Sequence, residues 1–390
     1  MREIYLDNAA TTKMSQLAMA SYCGTSESVW GNPSSLHSFG KRAEDVITEA
    51  KEIILNTMAA KDSELIFTAS GTEANNLAIM GRALSKERYR KKAKIITTVG
   101  EHASVSEPIE ALRKMGFTVA AISTKGGKVD MDELTRELTP DVILVSMMMV
   151  NNETGAVYNI PQVARLMKAM CPESVLHVDA TQGYLKIPFT KAGIGADLIT
   201  VSSHKIEGPK GVGALVVSND LLKKRGLAPI IYGGGQQLGL RSGTENVPAI
   251  AAFGTAAEHG HTELRGNIAA MEYFRVQLVE KLTSDERFKE LSLTLPENHA
   301  PHILNITLPS IKSETMLHFL SSEGIYVSAG SACSSHGAHV SSALIAYGRT
   351  KEESDCSIRV SWCPENSYMD VNDFAEALAK GLEKLARIKR

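Results

Sequence analysis

Apolar and polar positions follow two rhythms along this chain. Short runs rich in β-branched residues, "ELIFTAS", "AKIITTV", "TVAAIS", "DVILVSMMMV", "SVLHVDA" and "DLITVSSH", read as buried strands. Between them lie stretches of helical spacing. In "EANNLAIMGRALSKE" the residues Ala74, Leu77, Ala78 and Leu84 share one face, and "SVSEPIEALRKMG" and "PQVARLMKAM" read alike. Strands alternating with helices predict an α/β fold built on a mostly parallel sheet covered on both faces. From about Asn246 the rhythm changes. One long helical region from Ala249 to Leu282 leads into short strands ("HILNITLP", "IYVSAG", "SIRVSW") interspersed with the helices "ETMLHFLSSEG" and "VNDFAEALAKGLEKLARI". This part reads as a second, smaller α+β domain.

In parallel sheets ligands gather at the carboxyl ends of the strands, so the residues after each apolar run matter most. These are Gly71-Thr72-Glu73, Glu101-His102, Asn151-Asn152-Glu153, Asp179-Ala180-Thr181-Gln182, and Ser202, His204 and Lys205. Singly, each has a plain structural use. Thr72 fits a helix cap, Asp179 another, His102 a satisfied core histidine, and Lys205 a side chain emerging into water. Together they offer a phosphate cradle at a helix start, an imidazole, amides, a carboxylate and a lysine. That inventory suits a phosphorylated aromatic cofactor held by a lysine, with a carboxylate at its ring nitrogen. Pyridoxal 5′-phosphate is bound in this way.

Composition narrows the class. The 390 residues are 43% hydrophobic and 22% charged, with a net charge of −2, so nothing favours nucleic acid as a partner. No apolar run approaches the ~18 residues of a membrane span, and "MREIYLDNAATTK" lacks the apolar core of a secretory signal. The five cysteines (Cys23, Cys171, Cys333, Cys356, Cys363) are scattered without a CxxC pair, which fits reduced thiols and a cytoplasmic setting. "SAGSACSSHGAHVSSAL" is rich in glycine and small polar residues and reads as a mobile loop, about 328–342, carrying Cys333. Cys333, His336 and His339 stand three apart, but a closed zinc site wants four ligands, and no metal is expected.

Nine motifs then appear in order: "YLDNAATT", "SGTEANN", "EHASV", "NNETG", "HVDATQ", "SSHKIEGPKGVGAL", "RSGTENV", "SAGSACSS" and "SIRVSW". Through them the chain resembles, nearly end to end, the NifS/IscS-type cysteine desulfurases of the aminotransferase-like, fold type I superfamily of pyridoxal-phosphate enzymes. The resemblance implies a large cofactor-binding domain over residues 16–255 and a small domain of residues 1–15 with 256–390. It implies that Lys205 is the Schiff-base lysine and acid/base at the substrate Cα. Asp179 would pair with the pyridine nitrogen, Gln182 with the phenolic oxygen, and His102 would stack on the ring and move protons. Gly71, Thr72, Ser202 and His204 would hold the phosphate. Thr244 would reach the phosphate of a neighbouring subunit, implying a homodimer. Asn152 and Arg359 would receive the substrate carboxylate, and Asn152 would also lie against the cofactor.

Cys333 would accept sulfur from L-cysteine as a persulfide, releasing L-alanine. It would then deliver the sulfur to acceptor proteins, such as an iron–sulfur scaffold or a sulfur carrier. A selenocysteine lyase or another β-eliminating lyase is the alternative on the same fold. A plain aminotransferase would have no use for the cysteine loop, and a silent scaffold none for Lys205, Asp179 and Cys333 together. Glu207 departs from the family's commonest pattern. So near a phosphate site, it is expected to face outward.

Overall fold

Seven strands make the larger sheet of the computed structural model, which describes residues 2–85, 93–329 and 340–388. From edge to edge they are Ser63–Thr68, Gly213–Ser218, Leu198–Ser202, Val175–Asp179, Val142–Met148, Lys94–Thr98 and Thr118–Ile122. The five strands from Leu198–Ser202 onward run parallel, as the alternating pattern predicts. Gly213–Ser218 runs antiparallel to both of its neighbours. The sequence pattern misses this strand because its glycine-rich approach reads as a turn.

The central strands are buried along their whole length, and successive residues serve opposite faces. Leu144, Val175, Leu198 and Leu215 pack with Leu77, Val105 and Leu112 of the helices Gly71–Leu84 and Ala103–Lys114. Their neighbours Val145, Leu176, Ile199 and Val216 pack on the other side with Ile47, Val163 and Ile250. A sheet apolar on both faces must be covered twice, which is why these strands read as unbroken apolar runs.

The long helical region predicted from Ala249 to Leu282 is two helices, Val247–Thr262 and Leu264–Ser284, broken at Glu263. The break lets each half serve a different core. Ile250, Phe253 and Ala257 join the large-sheet core, whereas Met271, Phe274 and Leu278 join a second one. That second core lies on an antiparallel sheet ordered Ser328–Ala329, Ser357–Ser361, Ile303–Thr307, Ser292–Thr294. Trp362 is fully buried there, its indole N–H donating to the Met271 carbonyl at 2.9 Å.

"IYVSAG" divides between two ladders. Ile325–Tyr326 pairs in parallel with Ile4–Tyr5, and Ser328–Ala329 pairs with Ser357–Ser361. The N-terminal strand is thereby fixed beside the small sheet, and the next residues cross to the large one. Asn8 N–H donates to the Ser361 carbonyl (3.1 Å) and Thr12 N–H to the His204 carbonyl (2.9 Å). Among the described residues, no helix is long and apolar enough to cross a membrane.

Candidate active site

A cleft of about 610 Å³ opens at the carboxyl ends of the parallel strands. Gly71, Thr72, His102, Asn152, Asp179, Gln182, Ser202, His204, Lys205 and Arg359 all line it. Ten residues singled out along the sequence therefore meet in one place. The parallel sheet explains why: its strands end on one level, and each hands its next residues to the same rim.

The cleft's anion-binding corner starts at the helix Gly71–Leu84. Ser70 caps it, its hydroxyl accepting from Glu73 N–H at 3.1 Å. Glu73 in turn accepts from Ala69 N–H (3.0 Å) and pairs with Arg241 (2.8 Å), so its charge is spoken for. The Gly71 and Thr72 N–H groups have no intrahelical acceptor, and the dipole adds positive potential beside them. A Cβ on Gly71 would meet Ser202 Cβ at 3.3 Å and Thr181 Oγ1 at 3.4 Å, narrowing the corner. Gly213 is needed more strictly: a Cβ there would lie 2.6 Å from the Ser70 carbonyl carbon. Ser202 Oγ is buried in this corner without a hydrogen-bond partner. A buried hydroxyl left unpaired by its own protein has its donor available to a ligand.

Lys205 sits in the single turn Ser203–Lys205 that ends the strand Leu198–Ser202. Its Nζ donates to the Ala9 and Ala10 carbonyls, both at 2.7 Å. The neighbouring residues of the N-terminal segment hold the same turn: Thr11 Oγ1 lies 3.1 Å from His204 Nδ1, and Thr12 Oγ1 donates to the His204 carbonyl (2.9 Å). Burial, with Lys205 and Lys210 nearby, pushes the His204 imidazole down to about 4. It is neutral under ordinary conditions.

Asp179 ends the strand Val175–Asp179, its Oδ1 accepting from Thr181 N–H at 2.9 Å and its Oδ2 from Asn75 Nδ2 at 2.8 Å. Gln182 donates to the Ala9 carbonyl (2.8 Å) and lies 3.3 Å from the buried His302. Burial lowers His102 below its ordinary range. Next to it Glu101 accepts from Met148 N–H on both oxygens at 3.0 Å and from the Thr98 hydroxyl. Burial pushes that carboxyl up to about 8.

Arg359 reaches the cleft from the small sheet. Its Nη1 donates to the Asn152 carbonyl and its Nη2 to Asp7 Oδ1, each at 2.9 Å, while Nε is buried without a partner. Glu153 beside it accepts from Ser341 Oγ at 2.5 Å, and burial pushes its carboxyl up to about 7.

Thr244 is exposed and is not among the residues lining this cleft. Cys333, His336 and His339 lie outside the described residues. Glu207 does not line the cleft either; its carboxyl keeps company with Lys186, His259 and Glu365, half-buried, on a backbone with φ of +63°. Sequence reading assigned no role to Asp7, Asn75, Ser104, Glu153 or the Ala9 and Ala10 carbonyls. "YLDNAATT" and "SGTEANN" marked the neighbourhood of the first two, but nothing local to either motif says what it faces.

A mostly parallel α/β sheet with a lysine, a carboxylate and an anion corner at its strand ends is the architecture of the aminotransferases. The chain belongs to the aminotransferase class-V family, whose model matches residues 4–374. It is 36% identical to the NifS/IcsS protein homolog of Lactobacillus delbrueckii subsp. bulgaricus, over 99% of this chain and 98% of that one. It is likewise 36% identical to the cysteine desulfurase IscS of Dictyoglomus turgidum, over 99% of this chain and 96% of that one. Among solved structures, a NifS-like protein matches with a TM-score of 0.90 and 32% identity, over 98% of this chain and all of that one. A structure of SspA in complex with cysteine matches with a TM-score of 0.79 and 29% identity, over 93% of this chain and all of that one.

Proposed function

We propose that this chain is a cysteine desulfurase that uses pyridoxal 5′-phosphate to convert L-cysteine to L-alanine, passing the sulfur to Cys333. The observation that carries the reading is the meeting of Lys205, Asp179, the Gly71–Ser202 corner and Arg359 in one cleft. The donor set fits the cofactor. The unpartnered Ser202 hydroxyl and the Gly71 and Thr72 amides suit a phosphate, with His204 beside them. The Asp179 carboxylate suits a pyridinium nitrogen, Gln182 a phenolic oxygen, and Lys205 the aldehyde carbon. When bound, the cofactor supplies an electron sink for negative charge developing at the substrate Cα.

The chain's own residues do the rest. Arg359 receives the substrate carboxylate, since a planar guanidinium offers paired donors, and Asn152 flanks it. Lys205 removes the Cα proton, and His102 moves a proton at the neighbouring atoms. The Cys333 thiolate attacks the substrate sulfur. A sulfur–sulfur bond forms as the Cβ–S bond breaks, its electron pair stays with the carbon skeleton, and protonation there yields alanine. Enzyme thiol and cysteine become enzyme persulfide and alanine, with atoms and electrons balanced. The relatives named cysteine desulfurase along the full chain support this reading over β-elimination.

The reading includes a homodimer in which Thr244 serves the neighbouring subunit's phosphate, sulfur-acceptor proteins as partners, and a cytoplasmic setting. It also includes the division into residues 16–255 and residues 1–15 with 256–390. Support for that division comes from the pairing of Ile4–Tyr5 with Ile325–Tyr326 and from the two separate apolar cores. The test is incubation with L-cysteine, followed by mass analysis of Cys333 and an alanine assay. Borohydride should fix the cofactor to the peptide containing Lys205. Label on Lys210 would overturn the assignment.

A further inference from the structure

His102 is tied to Asp179 through two side chains to which the reaction as described gives no task. Asn75 Nδ2 lies 2.8 Å from Asp179 Oδ2 and 2.8 Å from Ser104 Oγ. A carboxylate oxygen only accepts, so the amide face toward Asp179 is the nitrogen, and its second hydrogen goes to Ser104 Oγ. That fixes the serine as an acceptor on one side. Its own hydrogen is then aimed at His102 Nδ1, 2.8 Å away. Ser104 N–H, which can only donate, also points at His102 Nδ1, at 3.1 Å. Two donors converge on Nδ1, so that nitrogen carries a lone pair and the ring proton sits on Nε2.

Three further facts agree. His102 is the N-cap of the helix Ala103–Lys114, where the dipole disfavours an imidazolium. Burial and the charges of Lys205 and Arg359 also hold the ring neutral, against the opposing pull of Asp179. Asn75 Oδ1 is buried with no partner, so the amide is kept for its two donated bonds alone.

We propose that Asn75 and Ser104 are positioning residues that fix His102 as the neutral imidazole with its proton on Nε2. On this account His102 meets the substrate as a hydrogen-bond donor and acid, and the same relay holds Asp179 in place. The inference rests on the reading of this cleft as a desulfurase site.

The test is ¹⁵N-histidine NMR of the full chain, with and without cofactor, the His102 signals being assigned by their loss in His102→Gln. In the parent, Nδ1 should be unprotonated and Nε2 protonated at neutral pH. Donors to Nδ1 favour the neutral ring, so Ser104→Ala should raise the His102 titration midpoint by about half to one pH unit. Asn75→Ala, which lets the serine hydroxyl turn away, should move it in the same direction. Ser104→Thr, which keeps the hydroxyl, should leave it in place. Asn75→Ala carries the test if Ser104→Ala fails to fold by circular dichroism. An Nδ1-protonated parent, or a midpoint unmoved when the hydroxyl or the amide is removed, would overturn the proposal. Alanine production is assayed on the same samples. The expected tautomer in a protein inactive on L-cysteine would sink the functional reading alone, and an active protein with the other tautomer would sink this inference alone.

Discussion

Asp7 and Arg359 are 352 residues apart in sequence and form an ion pair of 2.9 Å at the cleft wall. The arginine side chain is 4% exposed and the aspartate 19%. Burial holds the Asp7 carboxyl above its ordinary value, with Arg359 and then Lys205 opposing part of the rise. The pair exists because Ile4–Tyr5 runs beside Ile325–Tyr326 and Asp7 bridges to Ser361, two residues beyond the arginine. A buried guanidinium needs a counterion, and Asp7 is that counterion.

Arg359→Lys should raise KM for L-cysteine while leaving cofactor affinity nearly intact. Lysine keeps the charge and loses the paired donors, a difference of roughly 1–3 kcal/mol. Asp7→Asn should lower the melting temperature, and a carboxylate ligand such as L-alanine should restore more of it than in the parent. An unchanged KM in Arg359→Lys would remove that residue from the substrate site.

Ser202→Ala separates folding from cofactor binding. The hydroxyl has no partner within the protein, so its removal should leave the melting temperature of the cofactor-free protein unchanged or slightly higher. Removing a buried, unpaired polar group relieves a penalty of roughly 1–3 kcal/mol. Affinity for pyridoxal 5′-phosphate should fall about tenfold, as for one lost charge-assisted hydrogen bond. Cofactor titration followed by absorbance reads the second effect. A cofactor-free protein that melts clearly lower would mean that Ser202 serves the fold instead.

Glu101→Gln should change how stability depends on pH. The folded Glu101 carboxyl is pushed from its ordinary 4.5 up to about 8 by burial. Its folded value lies above its unfolded one, so its contribution is complete below about pH 4.5 and is lost as pH rises toward 8. Glutamine does not titrate, and it can still accept from Met148 N–H. The cofactor-free variant should therefore match the parent near pH 5 and exceed it by roughly 2–4 kcal/mol near pH 8. Chemical denaturation at several pH values checks this. A constant difference across the range would show Glu101 ionised throughout.

What the sequence displayed was whatever is local to a strand end. Lys205, Asp179, His102 and the Gly71 corner follow apolar runs directly, and a parallel sheet converts that adjacency into proximity. Asp7 was not legible because its partner comes from another sheet, through a register that no local pattern encodes. Asn75 and Ser104 hide for a different reason. Both sit near the starts of helices, where amides and hydroxyls are ordinary, and only the distances reveal a relay. The antiparallel strand Gly213–Ser218 was lost because Gly213, which must be small to pass Ser70, disguises a strand as a turn.

Cys333→Ala tests the sulfur-transfer step itself. The cleft residues Lys205, Asp179, Gly71 and Arg359 are untouched by the change, so the variant should bind cofactor, stay yellow and still bind L-cysteine. Removal of the Cα proton by Lys205 remains possible, and exchange of that proton with deuterated solvent should persist. The next step has no thiolate to receive the sulfur. Alanine production from L-cysteine should therefore collapse, and no persulfide should appear on Cys23, Cys171, Cys356 or Cys363. Two of these are poor substitutes on physical grounds: burial raises the Cys171 thiol and pushes Cys363 up to about 12, far from thiolate at neutral pH. An eliminating lyase behaves differently, because its leaving group departs without a protein thiol, and the variant would keep most of its activity. Selenocysteine widens the contrast, since selenide leaves more easily and can react slowly without the acceptor. Alanine formed from L-cysteine by Cys333→Ala at near the parental rate would rule out the persulfide route in this protein.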